Sequence, residues 1–298
     1  MSKSSSLISL LAGLHLLAGC AGILTPAAPS PLTPTLPATA PPKPEVEPLA
    51  VQVLSLRPHD TSAFTQGLLL HNGLFYESTG LVGQSSLREV DPETGEVLRR
   101  VDVPEVFAEG LALVDQRLLQ LTWTSGVAFV YDLETFARRG SFAYHGEGWG
   151  LCYDGHQLYM SDGSDTLFVR DAETFAVLDT VPVRLNGVAL TQLNELECVG
   201  DAIYANVWQT DEIVRIDKHS GVVTGLIDAR GLLTEQEQQD ADVLNGIAYD
   251  AENAVFFITG KLWPHVFEVR FVPPDEAASG LWPPDSESVE GRVIRQPA

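Results

Sequence analysis

The residues able to do chemistry in this chain fall into two repeating sets. One set opens a short motif that recurs five times: Gln66-Gly67-Leu68, Glu109-Gly110-Leu111, Trp149-Gly150-Leu151, Asn194-Glu195-Leu196 and Asn245-Gly246-Ile247. The other set lies about a hairpin further on, in Glu77-Ser78-Thr79, Thr122-Trp123, Ser161-Asp162, Asn206-Val207-Trp208 and Thr259-Gly260-Lys261. A hairpin returns to the end it started from, so both sets belong on one rim. Together they offer a carboxylate (Glu109), a cation (Lys261), the amides Gln66, Asn194 and Asn245, and the indoles Trp123, Trp149 and Trp208. Phe64 and Phe107 stand two residues before their motifs and would line the mouth. A lone carboxylate between apolar walls is desolvated and its pKa rises, which suits proton transfer near neutrality. Glu109 could instead be locked in a salt bridge with Lys261. Lys261, Asn194 or an indole N–H could donate to a developing oxyanion. The catalytic candidates are therefore Glu109, Lys261 and Asn194. The binding candidates are Gln66, Phe64, Phe107, Trp123, Trp149, Trp208 and Asn245. Against this stands a plainer reading in which the tryptophans pack a core, Lys261 is solvated, and the asparagines tie loops together.

The elements that must position these groups follow from the period. The gaps between motifs are 43, 40, 45 and 51 residues, and a period of roughly 40 to 50 marks a propeller or a solenoid. Each motif is followed by an apolar strand, a tight turn such as His71-Asn72-Gly73 or Tyr153-Asp154-Gly155, and a second aromatic strand. A third and a fourth strand flank turns such as Asp132-Leu133-Glu134-Thr135. In those Asp-Glu-Thr stretches a turn-capping Asp is favoured over a metal ligand. The expected fold is all-β, a five-bladed β-propeller over residues 49–272. The alternating run Ala50–Leu56 would complete the last blade and remove an open edge. One short helical patch is expected around Thr234–Asp240.

The chain has 298 residues and a formal net charge of -22, a poor match for phosphate backbones or anionic lipid. Nucleic acid is therefore not an expected partner. Residues 1–19 read as a signal peptide whose apolar stretch, Leu7–Leu17, is too short to span a membrane as a mature helix. Leu17-Ala18-Gly19-Cys20 resembles a bacterial lipobox, which implies a lipid on Cys20. Residues 20–48 read as a Pro-rich tether and 273–298 as a loosely ordered tail. The expected address is the bacterial cell envelope, on the periplasmic face of the outer membrane, with membrane contact only through the lipid and the protein a monomer. Cys152 and Cys198 lie three and four residues past their motif heads. Opposite sides of the pleat are expected for them, which favours two buried thiols over a disulfide, although the compartment would permit a bridge. No G-x-S-x-G, H-E-x-x-H, phosphate loop or C-x-x-C occurs.

Ten motifs in order, among them Phe64-Thr65-Gln66-Gly67-Leu68, Glu77-Ser78-Thr79-Gly80-Leu81, Glu147-Gly148-Trp149-Gly150-Leu151, Val243-Leu244-Asn245-Gly246-Ile247 and Thr259-Gly260-Lys261-Leu262-Trp263-Pro264, resemble the plant-type glutaminyl-peptide cyclotransferases. The resemblance runs from Phe64 to Phe267. It departs at Ala108 and at the two strand cysteines. It implies a five-bladed propeller acting on peptides or proteins with N-terminal glutamine. Glu109 would be the acid–base residue, and Gln66, Phe107, Trp123, Trp149, Asn194, Trp208 and Lys261 would line the site. It implies no cofactor for the chemistry and allows a structural calcium in the central channel. Two other readings stay open: a calcium-dependent lactonase-type propeller hydrolase, and a non-enzymatic propeller scaffold lipoprotein.

Overall fold

A computed structural model describes residues 45–277. The signal peptide, Cys20 and nearly all of the tether lie outside the described residues, as does the tail beyond Ala277. Strand β1 (Glu47–Pro58) comes first, so the expected domain start at 49 falls inside a strand. A first unit follows: β2 (Thr65–His71), β3 (Leu74–Thr79), β4 (Ser86–Val90) and β5 (Val97–Asp102). The second comprises β6 (Ala108–Val114), β7 (Arg117–Thr122), β8 (Val127–Asp132) and β9 (Arg138–Ala143). The third comprises β10 (Leu151–Tyr153), β11 (Gln157–Met160), β12 (Thr166–Asp171) and β13 (Val177–Pro182). A small hairpin, β14 (Arg184–Leu185) and β15 (Val188–Ala189), leads to the fourth: β16 (Leu193–Val199), β17 (Ala202–Val207), β18 (Glu212–Asp217) and β19 (Val223–Asp228). The last strands are β20 (Leu244–Asp250), β21 (Val255–Gly260) and β22 (His265–Val272), before a short helix α1 (Pro274–Ala277).

Each unit is an antiparallel meander, and the fold is all-β and propeller-like. β1 lies antiparallel on β22, from Ala50 opposite Val272 to Pro58 opposite His265. It is thus the outermost strand of the last unit, as its alternation suggested. Its first residues also run parallel to β19, Glu47 opposite Gly225, which sews the fourth and fifth units into one sheet.

The turns obey their residues. Asn72 and Gly73 both take positive φ between β2 and β3, the conformation a two-residue hairpin needs. Asp91, Asp132, Asp171 and Asp217 accept backbone N–H groups two or three residues on, so these acids cap their own turns. The helical patch is a single 3-10 turn at Glu237–Gln239, with Thr234 and Glu237 exchanging hydrogen bonds.

The core lies between units rather than within them. Leu111, Leu118 and Phe129 meet Leu87 and Tyr76 between the first and second units. Three further clusters join the second to third, third to fourth and fourth to fifth. The fifth cluster packs Phe75 and Leu68 of the first unit on Phe257 and Ala248 of the last.

That face-to-face stacking corrects the cysteine expectation. Cys152 and Cys198 form a disulfide, with Cα atoms 5.5 Å apart. The two residues do lie on opposite sides of the pleat. In two stacked sheets those sides face each other, so Cys152 of β10 and Cys198 of β16 meet in the cluster between the third and fourth units.

Candidate active site

Four of the five first strands are bulged at their motifs, while β10 pairs with β11 without a shift and Trp149 stands just before it. Register shifts fall between Thr65 and Gly67, Ala108 and Leu111, Leu193 and Leu196, and Leu244 and Ile247. A bulge re-aims the side chain at the extra residue, here Gln66, Glu109, Asn194 and Asn245. The glycine that follows lets the strands touch. A Cβ on Gly67 would stand 2.6 Å from the Leu111 nitrogen, and one on Gly110 2.6 Å from the Leu151 nitrogen. The fourth motif has Glu195 in place of glycine. Its carboxylate reaches across to accept the N–H of Leu68 (3.3 Å) and of Ile247 (2.8 Å), in the first and last units. Burial raises the Glu195 pKa well above the ordinary carboxylate value.

A cavity of about 270 Å³ opens on the rim, lined by Phe64, Gln66, Phe107, Glu109, Trp123, Trp149, Asn194, Trp208, Asp242 and Lys261. Nine of the ten sequence candidates line it. Asn245 does not; it is fully buried behind the wall. Its Nδ2 donates to Gln66 Oε1 (3.1 Å) and to the Thr65 carbonyl (3.0 Å). That fixes the Gln66 amide so that its Nε2 donates to Glu109 Oε1 at 3.1 Å.

Glu109 is 5 % exposed. Burial drives its pKa well above the ordinary carboxylate value, against the pull of Lys261 and with a small push from Glu147. Lys261 is 4 % exposed rather than solvated. Burial lowers its pKa while Glu109 and Asp242 raise it. Its ammonium lies 4.9 Å from the centre of the Phe64 ring, a cation–π contact. Among the described residues the close partner of the Glu109 carboxylate is Gln66, so the pair attract without the lock that a salt bridge would impose.

The aromatic walls hold each other edge to face. Ring centres lie 6.0 Å apart for Phe64 and Phe107, 5.7 Å for Phe107 and Trp123, and 5.5 Å for Trp149 and Trp208. Glu147 accepts both the Trp123 (2.7 Å) and the Trp149 (2.9 Å) indole N–H. Two of the three indoles are therefore committed and cannot be the oxyanion donor that sequence allowed. Asn194 Oδ1 is buried with no partner, so it stands ready to accept from a bound N–H.

Sequence reasoning missed Glu147 and Asp242. Glu147 sits two residues before Trp149 in a loop outside the strand period. Asp242 pairs with Lys261 through the backbone, its N–H donating to the Lys261 carbonyl at 2.9 Å. Extending the hairpin logic one step beyond Lys261 reaches it. Glu77 looked like a rim residue but is fully buried off the cavity, accepting from Thr65 (2.7 Å) and paired with His59 (3.0 Å). Among the described residues no group of three His, Cys, Asp or Glu side chains could hold a metal ion.

Residues 27–271 match the family model described as glutamine cyclotransferase. A glutaminyl-peptide cyclotransferase of Arabidopsis thaliana is 43 % identical over 228 residues, which covers 74 % of this chain and 71 % of that protein. The crystal structure of Myxococcus xanthus glutaminyl cyclase superposes with a TM-score of 0.71 at 40 % identity, covering 76 % of this chain and 99 % of that one.

Proposed function

The chain belongs to the glutamine cyclotransferase family and to its enzyme class, and on that premise we propose how its residues close an N-terminal glutamine into pyroglutamate. The observation that carries the reading is Glu109, buried with a raised pKa in a cavity walled by three tryptophans and faced by Lys261. The substrate is a peptide or protein whose first residue is glutamine. Its α-amine attacks its own side-chain amide carbon, so the work of the enzyme is to fold one chain end into attacking geometry. The aromatic walls do this by shape. The unpartnered Asn194 Oδ1 accepts from the α-amine. The Glu109 carboxylate takes a proton from the attacking nitrogen as the new C–N bond forms. Lys261 stabilises the negative charge that grows on the amide oxygen. Glu109 then returns the proton to the departing nitrogen, the old C–N bond breaks, and ammonia leaves.

The finer architecture belongs to the same proposal. The five units are read as five blades closed around one axis, supported by the cluster that joins the last to the first. A calcium ion on that axis would meet Glu195, the acid that reaches across it; backbone carbonyls would have to supply the rest of its oxygen shell. Such an ion would tie first strands together and would supply no step of ring closure. Lipidation at Cys20 and attachment to the periplasmic face of the outer membrane are proposed from the lipobox. Among the described residues no helix is long and apolar enough to cross a membrane. Cys20→Ser should abolish palmitate labelling and free the protein from the membrane fraction; labelling that persists would refute the anchor. A monomer is proposed, with gel filtration as its check.

The test of the activity is ammonia release by the full chain, after chelator treatment, from a short peptide beginning with glutamine. Prompt release is expected. No ammonia release by the folded chain with or without calcium, but lactones opened once calcium is restored, would support the hydrolase reading. No turnover of either by the folded chain would leave the scaffold.

A further inference from the structure

A second cavity lies beside the first, between the fourth and fifth units. Its volume is about 440 Å³, and Asp211, Ala229, Ala241, Asp242 and Trp263 are among its walls. The two cavities adjoin along three segments. Asp242 lines both. The turn after β17 carries Trp208 in the first and Asp211 in the second. The turn after β21 carries Lys261 in the first and Trp263 in the second. The Trp263 indole donates to the Asp242 carbonyl at 2.8 Å, which ties the turn after β21 to the segment entering β20.

Resting on the reading above, we infer that this second cavity receives the residues that follow the N-terminal glutamine, and that Asp211 makes it favour a cationic side chain there. The first cavity, at about 270 Å³, is below the usual range for a drug-sized ligand of roughly 300–1,000 Å³. It suits one folded glutamine and little more. The rest of the peptide must leave over the rim, and the larger cavity is the adjoining space. Its walls include two carboxylates and no lysine or arginine. Arg230 is the cation near Asp211, but its guanidinium is paired with Asp228. Asp242 is occupied on one oxygen by the Val243 N–H and feels Lys261. Asp211 is therefore the group best placed to select.

The experiment compares ammonia release from glutaminamide, Gln-Arg-Ala-amide and Gln-Glu-Ala-amide. Glutaminamide has nothing to place in the second cavity and reports the first alone. The parent should favour the arginine peptide over the glutamate peptide by about fivefold in kcat/KM, the scale of one partly exposed ion pair. Asp211→Lys should reverse that order and leave glutaminamide unchanged. Ala241→Trp, which fills the space without changing charge, should slow both tripeptides and spare glutaminamide. If both tripeptides and glutaminamide are turned over but neither variant alters selectivity, the second cavity is not a subsite and the cyclase reading stands. If the parent releases no ammonia even from glutaminamide, the cyclase reading falls and the subsite with it.

Discussion

At the scale of single residues the site is a carboxylate pushed up by burial and pulled back by a neighbouring cation. The sign of its pH dependence follows. In the proposed mechanism proton removal needs the Glu109 carboxylate, so kcat/KM should fall as pH drops through its raised pKa, above the ordinary carboxylate range. Lys261→Met removes the charge that lowers that pKa, so the acidic limb should move to higher pH as well as losing height. A pH–rate profile of the variant checks both, and a limb that stays put would show that the two groups do not communicate. Glu147 acts through the walls. Replacing it by Gln weakens the hold on Trp123 and Trp149, and about a tenfold loss in kcat/KM is expected, carried mainly by KM. A change in kcat alone would give Glu147 a different task.

At the scale of elements the bulged first strands and their contacts set the geometry. Gly110→Ala would drive a Cβ into the Leu151 nitrogen, and a loss of about 1–3 kcal/mol of stability is expected from denaturant midpoints. The disulfide closes a separation of 46 residues and ties β10, which follows Trp149, to β16, which carries Asn194. The double variant Cys152→Ser, Cys198→Ser should lose about 2–4 kcal/mol; an unchanged midpoint would show the bridge is not formed in solution. The rim residues were legible because they stand at fixed offsets in a repeat. The disulfide was not, because parity along one strand says nothing of which face the neighbouring sheet presents. Glu147 and Asp242 were hidden for a simpler reason. Both lie on loops: no period predicts the direction of Glu147, and Asp242 lies one step past the hairpin offset that reached Lys261.

At the scale of the whole molecule, five inter-unit clusters and the β1–β22 pairing explain why the rim is rigid enough to gather groups so far apart in sequence. Gln66 and Asn245 meet across 179 residues. The parallel contact of β1 with β19 was invisible in the sequence, since Glu47 and Pro48 read as the end of the tether. Glu109 is the centre of the proposed reaction, and the decisive comparison is of pyroglutamate and ammonia formed from a glutamine peptide by the parent and by Glu109→Gln, both shown folded by circular dichroism. The predicted result is prompt turnover by the parent and a loss of about 100-fold or more in the variant. Turnover by Glu109→Gln close to that of the parent would contradict the account and move the proton transfer to another group.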